Sequence, residues 1–145
     1  MTMMQYLDNS VPKANEWVMD FMAELQINET GLARQLLSST LHAMRDRLSF
    51  PDAEKLGAQL PLVMREHFHQ GWRPGKDLLR SGSREGFFHR MRRYSRGPIP
   101  VEEERAVRAF YRVLSQRVDE QDIEDIAAIL PEELQDLWEE GSEEE

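Results

Sequence analysis

Apolar positions along the chain recur at helical spacing, and no stretch alternates with the period of two that a half-buried strand requires. Leu37, Leu41, Met44 and Leu48 follow one another at steps of four, three and four, a stripe along one face of an amphipathic helix. Val107, Tyr111, Leu114 and Val118 take the same steps seventy residues later. Phe87, Phe88, Met91 and Tyr94 lie at i, i+1, i+4 and i+7, and Trp17, Val18 and Phe21 open the chain in a similar way. The pattern predicts helices over about 12–27, 30–48, 50–59, 61–70, 82–96, 100–118, 120–129 and 131–140. The Gly/Pro clusters "GWRPG", "SGS" and "GPIP" fall between them, where connectors belong.

The two halves also share letters. "RLSFPDAEKLGAQLP" (47–61) and "RVDEQDIEDIAAILP" (117–131) align without a gap, with Arg47, Asp52, Glu54, Ala58, Leu60 and Pro61 on Arg117, Asp122, Glu124, Ala128, Leu130 and Pro131. About one identity would be expected from average composition. The predicted fold is therefore all-α: about eight helices in two tandem four-helix repeats at an offset of 70, about 12–70 and 82–140, packed as one compact orthogonal bundle. In the first copy Ser49 can cap a helix with Asp52 at its third position, and in the second Asp119 and Asp122 can do the same. Ser83 or Ser81 can cap the helix that carries the aromatic stripe. Each copy then reaches Leu-Pro, where a proline suits the start of the next helix because it has no N–H to leave unpaired. Residues 1–140 read as one domain, and 141–145 as an acidic, disordered tail.

Composition narrows the chemistry. With 145 residues, 40 % of them apolar and 31 % charged, the chain has the means for one ordinary core. It has no cysteine, which excludes disulfides, thiolate nucleophiles and thiolate metal sites. No basic leader followed by an apolar run opens the sequence and no segment is apolar enough to span a bilayer, so a cytoplasmic protein without membrane contact is expected. The net charge of −9 is unevenly spread: residues 71–100 hold eight Lys or Arg against two acids, whereas 119–145 hold thirteen acids and no Lys or Arg.

That polarity singles out "FFHRMRRYSR" (87–96). Its aromatics belong to the core stripe, but its arginines have no counterpart in the first half. With the connector before it they form a candidate basic binding face of Arg73, Lys76, Arg80, Arg84, Arg90, Arg92, Arg93 and Arg96. Other motifs fall short. "GWRPGK" has three residues between its glycines where a phosphate-binding loop needs four, and Asp77 where that loop needs Ser or Thr. "EHFH" supplies one Glu-x-x-His pair, Glu66 and His69, without the second that a di-iron bundle uses; His67 and His69 are two apart on a helix and face opposite ways. His42 and Asp46, four apart, can form a local ion pair. No nucleophile elbow is present. No catalytic residue, metal or cofactor is expected, and a pocket near His42, His69 and Trp72 is the one candidate small-ligand site.

"NEWVMDFMAEL", "LHAMRDRLSFPDAEKLGAQLPLVMREHFHQGW", "RAFYRVLSQRV" and "IEDIAAILPEELQDLW" resemble the family known as domain of unknown function 2267. The resemblance spans most of residues 15–138 and is weakest over 73–100, which is richer in arginine here. It implies a small all-helical fold and a bacterial origin, and it brings no catalytic residue, ligand or partner. Three readings follow, in order of preference: a non-catalytic helical interaction module whose arginine face meets an acidic protein or a second copy; nucleic-acid binding through the same face; and a small-ligand site between the repeats.

Overall fold

The structure, a computed structural model, describes residues 3–71, 82–95, 97–99 and 101–138, and of residues 3–10 the backbone alone. Seven α-helices follow in order: α1 (Met3–Leu25), α2 (Thr30–Arg45), α3 (Phe50–Ala58), α4 (Leu62–His69), α5 (Arg84–Tyr94), α6 (Glu103–Arg117) and α7 (Ile123–Ile129). A 3₁₀ turn (Glu132–Leu134) then leads into a last helical turn over 135–138. Among the described residues there is no strand, and the fold is all-α as the apolar spacing predicts. No described helix is long and apolar enough to cross a membrane.

One continuous core gathers the predicted stripes except for Tyr94, which is half-buried with its hydroxyl bonded to Arg45 and Asp46. Trp17, Val18 and Phe21, Leu37, Leu41, Met44 and Leu48, Met64 and Phe68, Phe87, Phe88 and Met91, Val107, Tyr111, Leu114 and Val118, and Leu134 and Trp138 are all buried in it. Helix α2 sits at the centre, packed on α1, α4, α5 and α6, while α1 also packs on α4 and α6 and α3 on α4 and α7. Arg117 reaches from the end of α6 to Glu16 and Asp20 of α1, and Arg47, just past α2, lies against Gly86 of α5.

The ends of the helices show where local sequence decides and where it does not. Ser49 accepts from the Asp52 N–H and Ser83 from the Gly86 N–H, as predicted. The predicted cap at Asp119 does not form. There the Asp122 N–H donates to the Asp119 carbonyl at 2.8 Å, a backbone turn intervenes, and α7 begins only at Ile123 without a side-chain cap. Helix α2 stops at Arg45 rather than 48, because Arg47 and Leu48 donate to Met44 and Arg45 in tight three-residue turns that still deliver Leu48 to the core. Helix α1 begins at Met3, not near 12, and runs through Pro12. That proline forgoes one intrahelical hydrogen bond, to the Asp8 carbonyl. At its other end Gln26 takes a left-handed φ of 58°, and the Ile27 N–H closes the helix on the Met22 carbonyl at 3.1 Å. The predicted tail 141–145 and the Ser81 cap lie outside the described residues.

Candidate functional site

Of the four described residues of the arginine face, Arg84, Arg90 and Arg92 meet the chain's own carboxylates. Arg84 donates to Glu104 at 2.9 Å, to the Glu133 carbonyl at 3.3 Å and to Asp136. Arg92 pairs with Glu103, and Arg90 donates to Asp46 at 2.8 Å. These contacts tie α5 to α2, α6 and the C-terminal turn. Arg93 is exposed and has no carboxylate partner among the described residues. Arg73, Lys76, Arg80 and Arg96 lie outside the described residues, as does Trp72 of the candidate pocket.

Asp46 does not pair with His42. It is fully buried next to Arg45, itself only 3 % exposed, and its carboxylate accepts from Arg45 Nε at 3.3 Å, Arg90 Nε at 2.8 Å and the Tyr94 hydroxyl at 2.6 Å. Arg45 also donates to the Phe68 carbonyl at 3.2 Å, the Gln70 carbonyl at 2.7 Å and the Tyr94 oxygen at 3.1 Å. Burial, then the bond to Asp46, raises the pKa of the Tyr94 phenol above its usual value. The knot fixes the end of α4 and the end of α5 on α2. It thereby positions the side chains of a cleft.

That cleft, about 640 Å³, opens between α1, α2 and α4, with Tyr94 of α5 at one side. Ala14, Val18, Leu37, Leu41, Val63 and Met64 make it apolar, and Asn15, Arg34, Gln35, Ser38 and His67 give it polar groups. Such a volume and such a lining are those of small-molecule sites. Arg34, Ser38 and His42 are four apart on α2, so their side chains rise one above another. Ser38 Oγ and His67 Nε2 are 2.5 Å apart. His42 Nε2–H donates to the His67 carbonyl at 2.8 Å, which settles its neutral tautomer, and its ring stacks on that of His67 with centroids 4.6 Å apart. Gln35 donates to Ser95 Oγ at 2.8 Å and holds the end of α5 beside the cleft.

Of the residues expected near a pocket, His42 lies behind the cleft wall, while His69 turns away towards Glu54, 3.7 Å distant. His67, which the sequence marks only as facing away from His69, lines the cleft, and so do Arg34, Gln35 and Ser38, which no motif singles out. The available signal was the polar row Arg34, Ser38, His42 next to the apolar row Leu37, Leu41, Met44. It has no meaning until α4 is known to cross it. Among the described residues no group of three or more His, Asp or Glu is gathered as a metal would need.

Both histidines are held below their usual pKa of 6.5, chiefly by burial; for His42 the bond to the His67 carbonyl and for His67 one to the Gln70 side chain partly oppose this, and the charge of Arg45 adds to it. The fold thus prefers them neutral. As pH falls below about 6.5 the unfolded chain binds protons that the folded chain refuses, so stability declines with acidification until the folded histidines protonate as well. The expected urea midpoint is flat above pH 7 and drops below about 6.5. Imidazole proton shifts followed by NMR check this, and midpoints at or above 6.5 for His42 and His67 would contradict it.

A family model described as "Uncharacterized conserved protein (DUF2267)" matches residues 14–137. No curated protein matches the chain.

Proposed function

The chain belongs to the DUF2267 family, and on its geometry we propose that it is a helical binding module without catalytic activity, whose site is the cleft between α1, α2 and α4. The observation that carries the reading is the cleft itself: an apolar recess bordered by polar groups, three of them (Arg34, Gln35 and Ser38) on α2, with a buried polar knot behind it. The contact of Ser38 with His67 is a positioning contact in this reading. Ser38 stands in the middle of α2, where the backbone N–H groups are spent on intrahelical bonds and cannot stabilise an oxyanion.

Contact through the arginine face, with an acidic protein, a second copy or a nucleic acid, has less support, since Arg84, Arg90 and Arg92 already meet carboxylates of the same chain. A nucleic-acid contact through Arg92 and Arg93 would weaken steeply with salt and with their joint change to glutamate. A soluble chain in the cytoplasm fits the reading.

Gly31 provides the test. It lines the cleft, and a Cβ added to it would meet no atom within 4 Å, so the backbone there accepts a side chain and the indole of Gly31→Trp should obstruct the mouth. Nile red, a neutral apolar dye, is expected to bind the native protein at one site and to lose at least about tenfold in affinity in the tryptophan variant, the equivalent of a few buried methylenes. Equal binding by a folded Gly31→Trp variant would place the apolar site elsewhere and sink the proposal.

A further inference from the structure

We infer that the cleft selects amphipathic anions, a carboxylate on an aliphatic or aromatic body, with Arg34 as the residue that reads the charge. The inference rests on the cleft being a binding site and adds the class of ligand. In a chain with 27 acids and a net charge of −9, no described residue of the cleft wall is acidic. Its titratable and hydrogen-bonding groups are instead a guanidinium, an imidazole, a hydroxyl, two amides and a phenol.

Arg34 is exposed on α2 at the border of the cleft, one turn before Ser38 and on the same face, and it has no carboxylate partner among the described residues. This sets it apart from Arg84, Arg90, Arg92 and Arg117, each of which holds a carboxylate of the chain. A ligand carboxylate at Arg34 can take the planar fork of the guanidinium and also meet the Ser38 hydroxyl. The body of the same ligand then lies on Val18, Leu37, Leu41 and Met64, where burial of apolar surface supplies most of the affinity. A cation on the same body would face the like charge of the arginine at the cleft border and bind more weakly. Arg45, behind the wall, adds positive charge, and its partner Asp46 is turned away into the knot with Arg90 and Tyr94.

Three probes share one body and differ at the head: decanoate, decanol and decyltrimethylammonium, each titrated by calorimetry below its micellar range into the full-length protein, into Arg34→Gln and into Gly31→Trp. Decanoate is expected to bind one to one, about tenfold more tightly than decanol, as one charge-assisted hydrogen bond implies, and the cation weakest of all. Arg34→Gln should bring decanoate down to the level of decanol and leave decanol itself unchanged, while Gly31→Trp should remove both. Decanol binding as tightly as decanoate, or a preference for decanoate that survives Arg34→Gln, overturns the inference and leaves the cleft as a neutral apolar site. If no probe binds and Nile red does not either, the cleft is not a binding site and both proposals fall together.

Discussion

Asp46→Ala is expected to cost about 3–5 kcal/mol of stability, the usual consequence of removing one partner from a buried ion pair. The reason lies in what stays behind. Arg45 would keep its charge at 3 % exposure, and the Tyr94 hydroxyl and Arg90 would each lose their carboxylate acceptor. Against a total stability of about 5–15 kcal/mol for a domain of this kind, the variant stands close to unfolding at ambient temperature. Asp46→Asn keeps the shape and one acceptor oxygen, and should cost less. The two variants compared by urea denaturation decide the matter: a loss under about 1 kcal/mol for alanine, a value usual for exposed pairs, would mean that water reaches Asp46.

A second consequence of the same change concerns the cleft. Tyr94 stands between the guanidinium groups of Arg45 and Arg90, each 5.8 Å from its ring centroid, and its hydroxyl is anchored on Asp46. With that anchor gone the side of the cleft that Tyr94 forms is no longer fixed. Ligand affinity should therefore fall in Asp46→Asn even where the variant remains folded. Asp46 itself does not line the cleft, so such an effect would report on the positioning of Tyr94.

The sequence discloses those features that depend on neighbours along the chain. The stripe of Leu37, Leu41, Met44 and Leu48 is readable because a helix returns the same face every three or four residues, and Ser49 and Ser83 because a cap bonds to an N–H three residues on. Phe87, Phe88 and Met91 were legible as core for the same reason, even in the most basic stretch of the chain. What was hidden depends on partners distant in sequence. The spacing offers Asp46 only a local pairing with His42 and singles out nothing at Arg45; the convergence of Phe68, Gln70, Arg90 and Tyr94 makes both interior. The arginines of "FFHRMRRYSR" depend on distant partners as well: Arg90 reaches the buried Asp46, and Arg92 pairs with Glu103 at the surface, which no local rule could assign. The apolar spacing puts the start of the first helix near 12, yet α1 begins at Met3 and passes through Pro12. The cleft needed three helices and was invisible in any one of them.

Tyr111→Ala is expected to be the other large loss, about 3–5 kcal/mol, as for a large aromatic deleted from a core. Tyr111 is completely buried, sits on α6 with its ring edge-to-face against Trp138 at 5.8 Å, and touches α2 through Met44. It is therefore the apolar link between the last helical turn and the central helix, beside the ion pairs of Arg47 with Glu133 and of Arg84 with Asp136. Its hydroxyl, by contrast, has little to lose. The acceptor is the Met44 thioether sulfur at 3.8 Å, a weak one, and burial raises the phenol pKa far above its usual value, so it stays neutral at any pH at which the chain folds. Tyr111→Phe should accordingly stay within about 1 kcal/mol of the native protein, because the removed group forfeits only a poor hydrogen bond. Thermal unfolding of both variants by circular dichroism, with Trp138 fluorescence followed separately in a background where Trp17 and Trp72 are phenylalanine, separates the ring from the hydroxyl. If phenylalanine costs as much as alanine, the hydroxyl is bound to a buried water or a stronger acceptor, and the aromatic contact with Trp138 is not what holds the end of the chain. If alanine alone is costly and the Trp138 signal melts ahead of the helices, the C-terminal turn is a late-docking piece whose attachment depends on one ring.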